Sequence, residues 1–135
     1  MTLYDASFII DLVNSDEGAM ELANKADEEE SVTAISAISV HEYLFGIHYR
    51  FHSSANFSEK LKGAIQDLEQ FDILPLDFEI TRISSEIHVG LVRQGKRIGI
   101  NDTYIAATAL RYGFKLVTRN REHFDRIRDL EIIDY

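Results

Sequence analysis

The chain has 135 residues, of which 45% are hydrophobic and 27% charged, with a formal net charge of −9 and no cysteine. A chain of that length holds one domain with a real core, burying about two-thirds of its unfolded surface, and its composition is that of a globular protein, neither disordered nor membrane-spanning. The lack of cysteine excludes disulfides, thiol nucleophiles and thiolate-held zinc, and the acidic balance argues against a binder that relies on diffuse basic charge.

Thr2 to Tyr4 predict a short first strand, and Phe8, Ile9, Ile10, Leu12 and Val13 predict a helix entered at Asp5 to Ser7. A turn at Asn14-Ser15-Asp16 separates it from a second helix over 17–29, whose Asp27-Glu28-Glu29-Glu30 run reads as a solvated helix end. The β-branched stretch 32–35 predicts the second strand, after which Ser36 or Ser39 can cap a helix over 39–52. Phe57, Leu61, Ala64, Ile65 and Leu68 share one face of a helix within 56–71. The strand expected at 73–76 contains Pro75, which has no backbone donor and so points to a sheet edge or an irregular strand.

Ile80, Ile83, Ile87 and Leu91 repeat the helical pattern over 78–93, with Gly95 as the stop. The segment 102–112 is apolar on nearly every side, as a central helix requires, and Gly113 suits its C-terminal end. A strand at 115–118, a short helix from an Asn120 cap through Phe124, and a last strand at Ile132-Ile133 complete the series. Strands alternating with helices predict one α/β domain over 1–135 with a mostly parallel sheet. The first residues lack the pattern of a secretory signal and no stretch has the apolar length of a membrane span, so the expected location is cytoplasmic, with no membrane partner.

Asp5, Glu42, Asp102 and Asn120 fall at or near junctions between a strand or loop and a helix. An α/β fold could gather such junctions on one edge, where crowded carboxylates repel one another unless a cation binds. Oxygen ligands suit Mg²⁺ or Mn²⁺, metals that most often serve phosphate chemistry. Each residue also has a plainer reading. Asp5 and Asp102 can be helix caps, Asn101 could cap as well as Asp102, and Glu42 can be a surface acid. Glu42 nevertheless lies among Ile38, Phe45 and Tyr49, opposite the face formed by Val40, Leu44, Ile47 and Phe51. Two apolar faces imply that one packs on the core while the other meets a partner or lines a cleft.

Asp5 with Ser7, Glu42 within Ser-Val-His-Glu-Tyr, Ile73-Leu74-Pro75-Leu76-Asp77, Ile98-Gly99-Ile100-Asn101-Asp102 followed by Tyr104-Ile105-Ala106-Ala107-Thr108-Ala109, and Leu116-Val117-Thr118-Arg119-Asn120 through His123-Phe124 resemble PIN-domain nucleases of the VapC toxin type. The resemblance spans essentially the whole chain. It implies a three-layer α/β/α sandwich, a PIN-like relative of the Rossmann topology, whose acidic pocket takes Mg²⁺ or Mn²⁺ and hydrolyses RNA phosphodiesters as an endoribonuclease. Asp5, Glu42 and Asp102 match the family's acidic triad, and Ser7 and Thr118 its hydroxyl positions. Asn120 stands where many members carry a further acid, which weakens the case for a second, tightly held ion.

On this basis Asp5 and Asp102 hold the main ion, Glu42 binds it or positions the attacking water, and Ser7, Thr118 and Asn120 sit behind them. Arg93, Lys96, Arg97, Arg119 and Arg121 are candidate contacts to RNA phosphates, as well as ordinary surface charge. The resemblance further implies a homodimer and a small VapB-type antitoxin lying over the acidic groove. Among competing readings, His41, His48 and His52 share a stripe, but His48 and His52 lack the third ligand that zinc needs. An aspartyl-phosphate phosphatase or a receiver domain lacks its further aspartates, since Ser7 and Ile35-Ser36 stand where they are required. The alternative of another class is a PIN-like scaffold with weak or no catalysis, which only Asn120 supports.

Overall fold

The computed structural model describes residues 1–135. Its elements run β1 (Thr2–Tyr4), α1 (Ala6–Val13), α2 (Glu17–Glu28), β2 (Thr33–Ser36), α3 (Ala37–Phe51), α4 (Phe57–Leu68), β3 (Asp72–Leu74), α5 (Phe78–Arg93), α6 (Ile100–Tyr112), β4 (Lys115–Val117), α7 (Arg121–Phe124) and β5 (Ile132–Ile133). The five strands form one sheet in the order β3-β2-β1-β4-β5, and every pairing is parallel. The sheet is therefore wholly parallel, one step beyond the mixed sheet that the sequence left open.

Alternation along each strand sends neighbouring side chains to opposite faces. Leu3, Ala34 and Leu116 point to one face and pack with Leu91 of α5, Ile105, Ala106 and Ala109 of α6, and Phe124. Tyr4, Ile35 and Val117 point to the other, against Phe8 and Ile9 of α1, Ala19 of α2, Tyr43 of α3, and Ala64 and Leu68 of α4. Helices on both faces of a parallel sheet make the three-layer sandwich. Tyr4 stacks on Phe8 with ring centroids 4.2 Å apart, so the first strand and first helix share one packing unit.

Several boundaries differ from the sequence expectation for identifiable reasons. The second strand is shifted by one residue and ends at Ser36, whose hydroxyl accepts from Ser39 N and caps α3; Ser39 is therefore inside the helix and not its cap. The third strand stops at Leu74, so Pro75 ends the strand instead of interrupting it, and β3 does lie at the sheet edge. Helix α6 begins at Ile100 with Gly99 as its cap, which leaves Asn101 and Asp102 in the first turn. Gly113 closes that helix at φ +68°, the left-handed conformation glycine adopts without a steric cost.

Candidate active site

Strand order reverses between β1 and β4: from β1 the chain moves outward through β2 and β3 on one side, and through β4 and β5 on the other. At such a switch point the strand ends leave a crevice in which open parallel sheets place their ligands. Asp5 follows β1 and Thr118 follows β4, so both stand at its mouth.

Asp5 is 4% exposed. Its Oδ1 accepts from Ser7 Oγ at 2.6 Å and Phe8 N at 3.0 Å, and its Oδ2 accepts from Thr118 Oγ1 at 2.5 Å. The cap and the site are thus one residue: the contact with Phe8 N caps α1, while the contact with Thr118 ties β1 to β4. Thr118 Oγ1 also accepts from Asn120 N, and Ser7 Oγ accepts from Arg119 N. The segment 118–120 is therefore fastened to Asp5 by both hydroxyls the sequence singled out.

Glu42 and Asp102 enter from α3 and α6 and are both half-buried. Burial pushes the pKa of Glu42 above its ordinary value, and the charges of Asp102 and Asp5 push it further, with the Asn101 side chain and His41 offsetting part of the rise. Asp102 is raised chiefly by burial, with Asp5 adding to the rise and His123 opposing it. Glu42 thus lies within reach of the charges of Asp102 and Asp5, and Asp102 within reach of that of Asp5. Asp102 Oδ2 stands 3.1 Å from His123 Nδ1.

As the side chains lie, no three His, Asp or Glu groups are arranged to clasp a metal ion. Asp5 accepts three hydrogen bonds, two at Oδ1 and one at Oδ2, which leaves a lone pair of Oδ2 for a cation, and Asp102 is turned toward His123. The chemistry of the donor set still fits a hard divalent cation: three acids converge by charge in a partly dry cleft, two of them with pKa values raised in a way that a cation would reverse. Glu42 and Asp102 would have to swing toward Asp5 to ligate it.

The remaining candidates divide. Asn120 is exposed and its side chain caps nothing, contrary to its expected cap role; its backbone N–H, not its amide, joins the site. Arg119 lies at the site and gives its guanidinium to Asp11 at 2.6 Å. Arg121 is engaged by Asp125 at 3.0 Å and by Asp134 at 2.6 Å. Arg93, Lys96 and Arg97 are exposed at the end of α5 and in the turn leading to α6. His48 packs beside the Phe57 ring and His52 meets Ser53 Oγ. Sequence reasoning assigned no role to His123, Asp11 or Tyr135. For His123 a signal existed, since a histidine three residues beyond Asn120 must emerge on the same strand edge.

On the outer face of α3, Phe45 is 60% and Tyr49 80% exposed, while Val40, Leu44 and Ile47 pack toward the core. The expectation of two apolar faces holds in part: Ile38, expected beside Phe45 and Tyr49, packs instead against the core around Leu3 and Ile105, and Tyr43 joins the inner face with a hydroxyl that donates to Asp67 Oδ2 at 3.3 Å.

Residues 2–130 match the model of the family described as the PIN domain. Ribonuclease VapC1 of Methanocaldococcus jannaschii is 32% identical over 108 residues, which is 80% of this chain and 74% of that protein. Among solved structures, DNA-bound VapBC from Salmonella typhimurium superposes with a TM-score of 0.83 at 25% identity, over 99% of this chain and 98% of the other. VapBC2 from Rickettsia felis, bound to a promoter DNA fragment, gives a TM-score of 0.86 at 21% identity over 99% and 98%, a likeness of fold. No helix of the protein is long and apolar enough to cross a membrane.

Proposed function

The chain belongs to the PIN-domain family as a VapC-type ribonuclease, and we propose that it hydrolyses RNA phosphodiester bonds internally, with Mg²⁺ or Mn²⁺ held by Asp5, Glu42 and Asp102. The observation that carries this reading is that Asp5 stands at the switch point of the sheet with Glu42 of α3 and Asp102 of α6 half-buried and near enough for its charge to act on both. Without a cation such crowding is unfavourable; with one it becomes a binding site.

Each side chain has a distinct task. Asp5, immobilised by Ser7, Phe8 N and Thr118, is the fixed ligand. Asp102 is the movable one, steered by His123, and Glu42 orients the attacking water or completes the ligand set. Ser7 and Thr118 hold the Asp5 carboxylate in register so that it need not reorganise during the reaction. A divalent ion held by these carboxylates would offset the negative charge that builds on the phosphate oxygens. No protein nucleophile is required, and the chain has no cysteine to offer one.

Relatives whose names specify VapBC pair this kind of chain with a second protein. We extend to this chain a small antitoxin partner and a homodimer; the exposed Phe45 and Tyr49 on α3 offer apolar surface for such covering. The deciding experiment is incubation of total cellular RNA with purified, partner-free protein in Mg²⁺ or Mn²⁺, beside EDTA and the Asp5→Asn and Asp102→Asn variants. Metal-dependent cleavage lost in both variants supports the assignment. Full activity in Asp102→Asn would remove Asp102 from the site, and absence of both cleavage and metal binding in the parent protein would make it a non-catalytic module.

A further inference from the structure

One polar cluster, built on Asp11, adjoins the carboxylate pocket without supplying any of its acids. Asp11 sits on α1 with its side chain only 13% exposed, and both of its oxygens are taken. Oδ1 accepts from Arg119 Nη1 at 2.6 Å, and Oδ2 accepts from the Tyr135 hydroxyl at 2.7 Å. Tyr135 is itself held from two sides. Its ring meets Phe8 edge-on with centroids 5.0 Å apart, and its backbone passes so close to Gly18 that a Cβ there would come 3.0 Å from the Tyr135 carbonyl carbon. Burial and Asp11 push the tyrosine pKa above its ordinary value, so the hydroxyl remains a donor.

Arg119 is therefore fastened at both ends. Its backbone N–H donates to Ser7 Oγ, the hydroxyl that in turn donates to Asp5, and its guanidinium is held by Asp11. Its side chain is still 57% exposed, and its bond to Asp11 uses one of the five N–H donors of the guanidinium, so donors remain for a phosphate beside the pocket. A free arginine loses rotamer entropy when it grips a phosphate, whereas one clamped beforehand loses less.

We propose that Asp11 and Tyr135 are positioning residues that present Arg119 to the RNA phosphate chain next to the cleavage site. The proposal rests on the ribonuclease reading and adds to it a substrate contact aligned by a residue that follows β5. Asp11 supplies the aiming carboxylate, and Tyr135 fixes that carboxylate by occupying its second oxygen.

The test is a double-mutant cycle on binding of a labelled single-stranded RNA of mixed sequence, read by fluorescence anisotropy at several salt concentrations, with thermal stability measured in parallel. Tyr135→Phe keeps the ring against Phe8 and removes only the hydroxyl; Asp11→Asn is the second variant in case the first fails to fold. Arg119→Ala should weaken binding about 10-fold and lower the salt slope by about one. Tyr135→Phe should weaken binding about 3-fold or more in the parent protein and leave it unchanged in the Arg119→Ala background. An equal loss in both backgrounds, or a lower Tm with unaltered binding, overturns the clamp. Unchanged binding by Arg119→Ala overturns the contact itself while leaving metal-dependent cleavage intact, so this failure is separable from failure of the ribonuclease reading.

Discussion

Asp5, at the head of α1, and the pair Glu42 and Asp102, on α3 and α6, bear the same charge in opposite kinds of surroundings. Asp5 is almost fully buried and meets three donors, two of them hydroxyls that themselves anchor the 118–120 segment. Glu42 and Asp102 are half-buried, meet few donors, and have pKa values raised mainly by burial. The difference teaches that, on the proposed metal-dependent reading, one ligand is held in place by the fold and the other two would be settled by the cation. The hydrogen bonds of Asp5 contribute to the stability of the fold, whereas ionising the half-buried Glu42 and Asp102 costs stability.

The largest effect that would break this comparison concerns cleavage. Asp5→Asn and Asp102→Asn should each lower kcat/KM by about 10³-fold or more, roughly 4 kcal/mol of transition-state stabilisation. Stability should part the two: in metal-free protein Asp5→Asn lowers Tm by disturbing its hydrogen-bond acceptors, whereas Asp102→Asn holds or raises it. Equal destabilisation by both would end the distinction between fixed and movable carboxylates.

Next in size is the response to metal and pH. Because the folded state raises the pKa of Glu42 and Asp102, it holds their protons more tightly than the unfolded chain does. Their contribution to metal-free stability is fully present below the unfolded carboxylate pKa values and is lost as pH rises through the raised ones. In EDTA, melting curves should therefore lose stability over that acidic window, and the loss should shrink in Glu42→Gln. Mg²⁺ at about 100 times its dissociation constant should restore about 2.7 kcal/mol at neutral pH, an upward shift in Tm that calorimetry can read. An Mg²⁺ effect of equal size in Asp102→Asn would show that the ion binds elsewhere.

A smaller effect sharpens the account of the fixed carboxylate. Thr118→Val removes the donor to Asp5 Oδ2 and the acceptor for Asn120 N, which should cost about 1–3 kcal/mol in chemical denaturation and reduce cleavage about 10-fold through misplacement of Asp5. The smallest effect is expected from Arg121→Ala. Its guanidinium is engaged by exposed Asp125 and Asp134, so KM for RNA should change by less than about 2-fold. A larger rise would return Arg121 to the substrate surface beside Arg119.

Much of this was legible in the chain because the signals are local. An aspartate after a short strand, with a serine two residues on, reads as both cap and candidate site; the cap is present, and the same carboxylate takes the serine hydroxyl and stands at the switch point. The alanine-rich segment ending at Gly113 announced a central helix, and α6 is packed among core residues. Its start was misread because Gly99 has no side chain with which to advertise a cap, while the acid and amide just after it do. Asp11 and Tyr135 were invisible for a different reason. They are 124 residues apart, and an acid on an amphipathic helix looks like surface charge until the partner arriving from the other end of the chain is known. Likewise the flat exposure of Asn120 could not be seen in a residue type that usually caps.

The position of β1 has a consequence for how the protein is made. It is the first strand of the chain and the middle strand of the sheet, and its parallel partners begin at Thr33 on one side and Lys115 on the other. Contacts of such long sequence separation form late and slowly. The bond that fixes Asp5 comes from Thr118, 113 residues downstream, so a growing chain still threaded through the ribosome carries its acidic residues as unconnected parts. Asp5 is therefore fixed in its final orientation only once residue 118 has emerged and β4 has paired with β1.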